Sequence, residues 1–118
     1  MAAVLFYETE NGNVPVQAFI ESLPAKHGAK VYWEIGLLET YGTGLKEPYV
    51  KPIRGERYKG LWELRIQFAG DISRVFYFTA AADTFILLHG FVKKTAKTPK
   101  KELETALARK ADYQRRCP

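Results

Sequence analysis

Hydrophobic and polar positions change period twice along the chain. Val4 to Glu8 is a short apolar run that reads as a strand, and Glu10-Asn11-Gly12-Asn13 is a turn. Pro15 suits the first turn of a helix, and Val16, Phe19, Ile20 and Leu23 follow at i, i+3, i+4 and i+7. After a break at Pro24, Ala29, Tyr32, Trp33, Gly36, Leu37 and Tyr41 keep a helical spacing, which Gly42 and Gly44 end. Residues 15–42 are therefore expected to form a helical hairpin, with His27 near the start of its second helix facing solvent.

Beyond this hairpin the period falls to two. Tyr49 to Arg54 is a strand interrupted by Pro52, which assigns it to a sheet edge. Residues Gly55 to Gly60 form a polar loop. Leu61 to Phe68 alternates, with Trp62, Leu64, Ile66 and Phe68 on one face and Glu63, Arg65 and Gln67 on the other. Turn signals at Ala69-Gly70-Asp71 and at Ala80 to Asp83 bracket a strand from Ser73 to Thr79. Thr84 to Phe91 is the most apolar strand and is expected at the centre of the sheet. Thr98 is a plausible N-cap with Pro99 at the first position of a last helix. In that helix Leu103, Ala106 and Leu107 make a narrow apolar stripe. The predicted class is α+β in one domain, 1–118: an N-terminal strand, a helical hairpin, an antiparallel sheet of three or four further strands with helices packed to one side, and a C-terminal helix.

Charge adds a direction. The net +5 is concentrated: Lys93 to Pro118 holds nine Lys or Arg against three acids, whereas the first 92 residues hold nine against ten. A nearly neutral body with a cationic end fits a polyanionic partner, RNA or DNA; the alternative is a solvated basic helix. No apolar run approaches the ~20 residues of a membrane span, and the N-terminus lacks the charged and long apolar regions of a signal peptide. Cys117 has no second cysteine for a disulfide and no nearby His or Cys for a metal motif. The expectations are a cytoplasmic protein with no membrane, no metal and no cofactor.

Three segments carry a family resemblance: Leu61-Trp62-Glu63-Leu64-Arg65, Ser73-Arg74-Val75-Phe76-Tyr77-Phe78, and Leu87 to Pro99 with its Phe91-Val92-Lys93-Lys94-Thr95-Ala96-Lys97-Thr98-Pro99 ending. They resemble the RelE/ParE toxin superfamily, and within it the phage-derived, HigB-like branch, over nearly the whole chain. The resemblance implies the toxin half of a type II toxin–antitoxin pair. The partners it implies are a cognate antitoxin, usually a small helix-turn-helix protein, together with mRNA and the ribosome. Most RelE- and HigB-like members cleave mRNA in the ribosomal A site, whereas ParE-like members block DNA gyrase. Carried over by position, the basic residues of the cleaving members fall on Arg65, Arg74, Lys93 and Lys94. Two departures stand out: Glu63 occupies a position where some members have Lys, and Tyr113 is the only C-terminal tyrosine, far along the helix.

Cleavage through the 2′-hydroxyl needs a group to take its proton, charge to neutralise the phosphorane, and a proton for the 5′ oxygen. Arg65 and Arg74 suit the second task, because a guanidinium forks onto two phosphate oxygens and stays charged. Lys93 and Lys94 can reach the same groove. Glu63 is the candidate base, and His89 or Tyr77 the candidate acid; a lone His on an apolar strand is more often structural, and Tyr77 divides between core and base stacking. Lys97, Lys100, Lys101, Arg109 and Lys110 are expected to guide the protein to RNA. An even hairpin loop at Ala69-Gly70 places Arg65 opposite Arg74 as a phosphate clamp; an odd loop puts Arg74 on the face of Trp62 and Leu64. A salt link from Arg74 to Asp71 or Glu63 is the competing structural role. Gyrase inhibition without chemistry, or an inactive nucleic-acid-binding relative, are the other two readings.

Overall fold

The computed structural model describes residues 2–117; Met1 and Pro118, the outer ends of the N-terminal apolar run and of the basic segment, lie outside them. The elements are β1 (Ala3–Phe6), α1 (Pro15–Ser22), α2 (Ala25–Tyr41), β2 (Val50–Pro52), β3 (Trp62–Phe68), β4 (Asp71–Ala81), β5 (Thr84–Lys93) and α3 (Lys100–Arg116). The class is α+β, as the periodicities predict, and α1 and α2 form the expected hairpin. Gly42 closes α2 with a φ of 54°, a conformation that favours glycine. Pro99 sits at the cap of α3 and Lys100 begins it, one step later than the sequence suggests.

The five strands run in the order β1-β5-β4-β3-β2. The sheet is mixed and not purely antiparallel, because β1 pairs with β5 in parallel, Ala3 beside Thr84 through Phe6 beside Leu87. β2 is an edge, as Pro52 requires. The middle strand is β4; β5 lies one place toward β1, interior but off centre.

The larger correction concerns the layers. Helices cover both faces of the sheet. On one, Leu64, Ile66, Val75, Tyr77, Phe85 and Leu87 pack with Val16, Ile20, Val31, Ile35 and Leu38 of the hairpin. On the other, Phe76, Phe78, Ile86, Leu88 and Phe91 pack with Ala106 of α3, and Leu103 and Leu107 join them partly buried. The unbroken apolar run Phe85–Leu88 is the signature of a strand buried on both faces. Phe19 of α1 seats so closely on β5 that a Cβ at Gly90 would lie 2.4 Å from its ring. Gly90→Ala is therefore expected to destabilise by about 1–3 kcal/mol through overpacking, read as a lower urea midpoint at unchanged slope; an unshifted midpoint would contradict this packing.

Two ion clusters fasten α3. Arg57 and Tyr58 bind Glu104 near its N-terminal half, with Arg57 Nε at 2.8 Å and Tyr58 Oη at 3.0 Å. Near the other end Tyr7 Oη donates to Asp112 Oδ2 at 2.6 Å, and Arg116 Nη2 lies 2.7 Å from the same oxygen. Hydrogen bonds from Arg57 hold Glu104 down to about 2, and those from Arg116 and Tyr7 hold Asp112 down to about 2. A carboxylate depressed in the folded state adds stability above its ordinary range and loses it as pH falls through the folded value. The attachment of α3 is thus expected to weaken between the ordinary carboxylate range and about pH 2, seen as an acid loss of melting temperature that Glu104→Gln makes shallower. An identical acid slope in wild type and variant would contradict it.

Candidate functional site

β3 and β4 are joined by a two-residue turn. Ala69 at φ 51° and Gly70 at φ 87° both lie in the left-handed region, as a type I′ hairpin demands. The loop is even, and Arg65 stands directly opposite Arg74. Three rows of side chains then cross the face that α3 covers: Lys51, Glu63, Phe76 and His89; Arg65, Arg74 and Phe91; Gln67, Ile72 and Lys93. The register expected of a clamp is present, but the two arginines differ in exposure. Arg65 is half-buried and lines open space, whereas Arg74 is only 4% exposed.

Arg74 is buried on the side of the sheet that carries Phe91, not in the hairpin core. Its Nε lies 3.4 Å from Glu63 Oε2, and neither atom has a hydrogen-bond partner. The contact is a close buried ion pair without hydrogen-bond geometry, completed on the Arg74 side by Nη1 donating to the Ser73 carbonyl at 3.2 Å. Burial lowers Arg74; the Glu63 charge opposes that and the Arg65 charge adds to it. Glu63 is 7% exposed and has a cation against it.

The other proton-transfer candidates are engaged in contacts of the fold or buried in its core. Arg109 Nη1 donates to the Leu88 carbonyl and to His89 Nδ1, both at 3.0 Å. Nδ1 therefore carries no proton, and His89 Nε2 donates its own to Glu102 Oε1 at 2.8 Å. Burial lowers His89, consistent with this neutral ring. Both nitrogens are spent on docking α3 to β5. Tyr77 lies in the core of the opposite face, beside Trp62 and Phe85, where burial raises its phenol. Tyr113 packs edge-on against Phe78. His27 is not solvent-facing: it is buried, bonded to Ser73 Oγ at 2.8 Å and stacked on Phe68.

The cations divide similarly. Lys94, Lys97, Lys100 and Lys101 are exposed around the β5–α3 connection. Arg109 is engaged as described, and Lys110 lies over the Phe78 ring with its Nζ 3.4 Å from the Lys59 carbonyl. Both contacts tie α3 to the rest of the fold. Lys93 lines a cavity of about 210 Å³ with Lys51, Arg54, Glu63 and Leu103. A second cavity of about 210 Å³ holds Arg65 and Arg74 with Lys30, Glu34, Tyr49 and Gln67. The Glu63–Arg74 pair lies between the two. Lys51, Arg54, Lys30, Glu34 and Tyr49 are absent from the sequence-derived set. Lys51 was reachable, since it pairs across from Glu63; α2 meets the sheet only in three dimensions.

Among the described residues, no three His, Cys, Asp or Glu side chains come together as a metal site, and no helix is long and apolar enough to cross a membrane. The arrangement offers fixed positive charge beside two open cavities. Residues 18–111 match the family described as Phage derived protein Gp49-like (DUF891). No curated protein matches the chain.

Proposed function

The chain belongs to the Gp49-like family of phage-derived proteins, a toxin family of toxin–antitoxin pairs within the RelE/ParE-like superfamily, and from that premise we propose that it is a HigB-like, ribosome-dependent mRNA endonuclease. The observation that supports this reading is the basic face itself. Arg65 stands opposite Arg74 with Lys93 on the same face, beside a cavity edged by Lys51 and Arg54.

In this mechanism the RNA backbone crosses the face between β2 and the β5–α3 connection. Arg65 forks onto the scissile phosphate and follows its charge as the 2′-oxygen attacks in line, gives its proton to solvent water and bonds to phosphorus, while the P–O5′ bond breaks and the leaving 5′-oxygen takes a proton from water, giving a 2′,3′-cyclic phosphate and a 5′-hydroxyl. The buried Arg74 adds positive potential from below and, through Glu63, fixes the floor of the site. Lys93, Lys94, Lys51 and Arg54 hold the flanking phosphates, and Lys97, Lys100 and Lys101 reach the ribosomal surface. Glu63, His89 and Tyr77 transfer no proton. Positioning and charge stabilisation supply the acceleration, and the decoding site supplies the remaining geometry. The protein acts in the cytoplasm, and a small helix-turn-helix antitoxin neutralises it.

Induced expression without antitoxin, with mapping of mRNA 5′ ends, tests the proposal. New ends at fixed codon positions are the expected result. The engagement of Glu63 and His89 and the burial of Tyr77 favour one other reading, a gyrase inhibitor that does no chemistry. Growth arrest with DNA damage and intact mRNA would establish that one instead.

A further inference from the structure

The cavity beside Arg65 has an inner wall that phosphate binding leaves unused. Glu34 of α2 lines it and is 3% exposed. Its Oε2 accepts from Lys30 Nζ at 2.7 Å, while Oε1 is buried without any partner. An acceptor held this way is costly unless a donor reaches it. The Lys30 ammonium also lies 4.5 Å from the centre of the Trp33 ring, which fixes it beside Oε2. Tyr49 and Pro48 from the segment before β2 supply an apolar wall, with Tyr49 39% exposed. Beyond Leu64 no residue of β2 pairs with β3, and only the Arg65 N–H to Tyr49 carbonyl bond, 2.8 Å, continues the contact. The cavity therefore opens at the sheet edge beside Arg65.

We propose that this cavity is a guanine pocket, which selects the base next to the phosphate held by Arg65. Lys30 Nζ offers a donor, and the two oxygens of Glu34 offer acceptors, of which Oε1 is unpartnered. The Watson–Crick edge of guanine reads acceptor, donor, donor through O6, N1–H and N2–H₂. Adenine and cytosine each set a ring nitrogen acceptor against a carboxylate oxygen, and uracil sets its second carbonyl there. Tyr49 stacks on the base face, as aromatic side chains do for splayed RNA bases. The pocket rests on the RNA-binding part of the nuclease reading and extends it to a base preference.

The test uses fluorescein-labelled 2′-O-methyl tetranucleotides, which cannot be cleaved through the 2′-oxygen: one all-adenine, four with a single guanine. Anisotropy titration of the full chain is expected to give one guanine position binding about tenfold more tightly than the all-adenine tetramer. Tyr49→Ala weakens every tetramer with the ratio preserved. Glu34→Gln replaces an acceptor by an amide N–H₂ and removes the preference. Lys30→Gln, at the more exposed end of the pair, lowers the preference and serves if Glu34→Gln fails to fold by circular dichroism. Equal binding or no binding of all tetramers, or an unchanged preference in the folded variants, overturns the pocket. A guanine preference in a protein that leaves mRNA intact keeps the pocket and overturns the nuclease. Cleavage without any guanine preference does the reverse.

Discussion

Arg74→Ala is expected to lower the unfolding free energy by about 3–5 kcal/mol, a large share of the stability of a domain of this size. The substitution leaves the Glu63 carboxylate, 7% exposed, without the guanidinium 3.4 Å away. Most of the loss is the penalty of an uncompensated buried charge, not the worth of the ion pair. Replacing both partners by apolar residues of similar volume, Arg74→Met with Glu63→Leu, is therefore expected to recover most of the stability. Urea melts followed by circular dichroism read both. A single variant that melts within about 1 kcal/mol of wild type would show that the pair is solvated in solution.

Arg65→Ala is expected to do the opposite: little change in stability and a loss of about 10²–10³ in cleavage rate. Arg65 is half-buried at the edge of a cavity and no side chain bonds to it among the described residues. Its removal therefore breaks no hydrogen bond or ion pair of its side chain among the described residues, whereas the transition state loses its forked donor. Arg65→Lys keeps the charge but not the fork and is expected to fall between the two. Binding of RNA by Arg65→Ala should also show a shallower dependence on salt, by about one unit of slope on a log–log plot. A variant that cleaves at the wild-type rate would remove Arg65 from the site. The contrast between the two arginines is useful. A double variant of both confounds folding with chemistry, and the single Arg65 change separates them.

Much of this was legible in the chain. The alternation from Trp62 to Phe68 fixed which residues share the Arg65 face, and the Ala69-Gly70 pair set the even register that puts Arg65 opposite Arg74. The helical hairpin followed from its spacing and from Pro15, Pro24 and Gly42. What escaped was the second layer. The stripe Leu103, Ala106 and Leu107 is too narrow to reveal that α3 roofs the sheet face opposite the hairpin. Once it does, His89 is bound on both ring nitrogens and Arg109 becomes a fastening of α3. Tyr77 follows Phe76 at an irregularity in the β4–β5 pairing and falls in the hairpin-side core. The parallel placement of β1 and the meeting of α2 with the cavity beside Arg65 depend on contacts far apart in sequence, which no local period encodes. Charge density at the C-terminus likewise did not distinguish cations that bind the fold from those that face outward.

The most direct measurement is cleavage of a defined mRNA by purified protein on a stalled translating ribosome, with the A-site codon either all-ribose or carrying a single 2′-deoxy nucleotide at the mapped position. Cleavage of the ribose codon, leaving a 2′,3′-cyclic phosphate, together with an intact 2′-deoxy codon, is the result predicted for 2′-hydroxyl attack stabilised by Arg65. An intact ribose codon under folded protein, or equal cleavage of both codons, would contradict it.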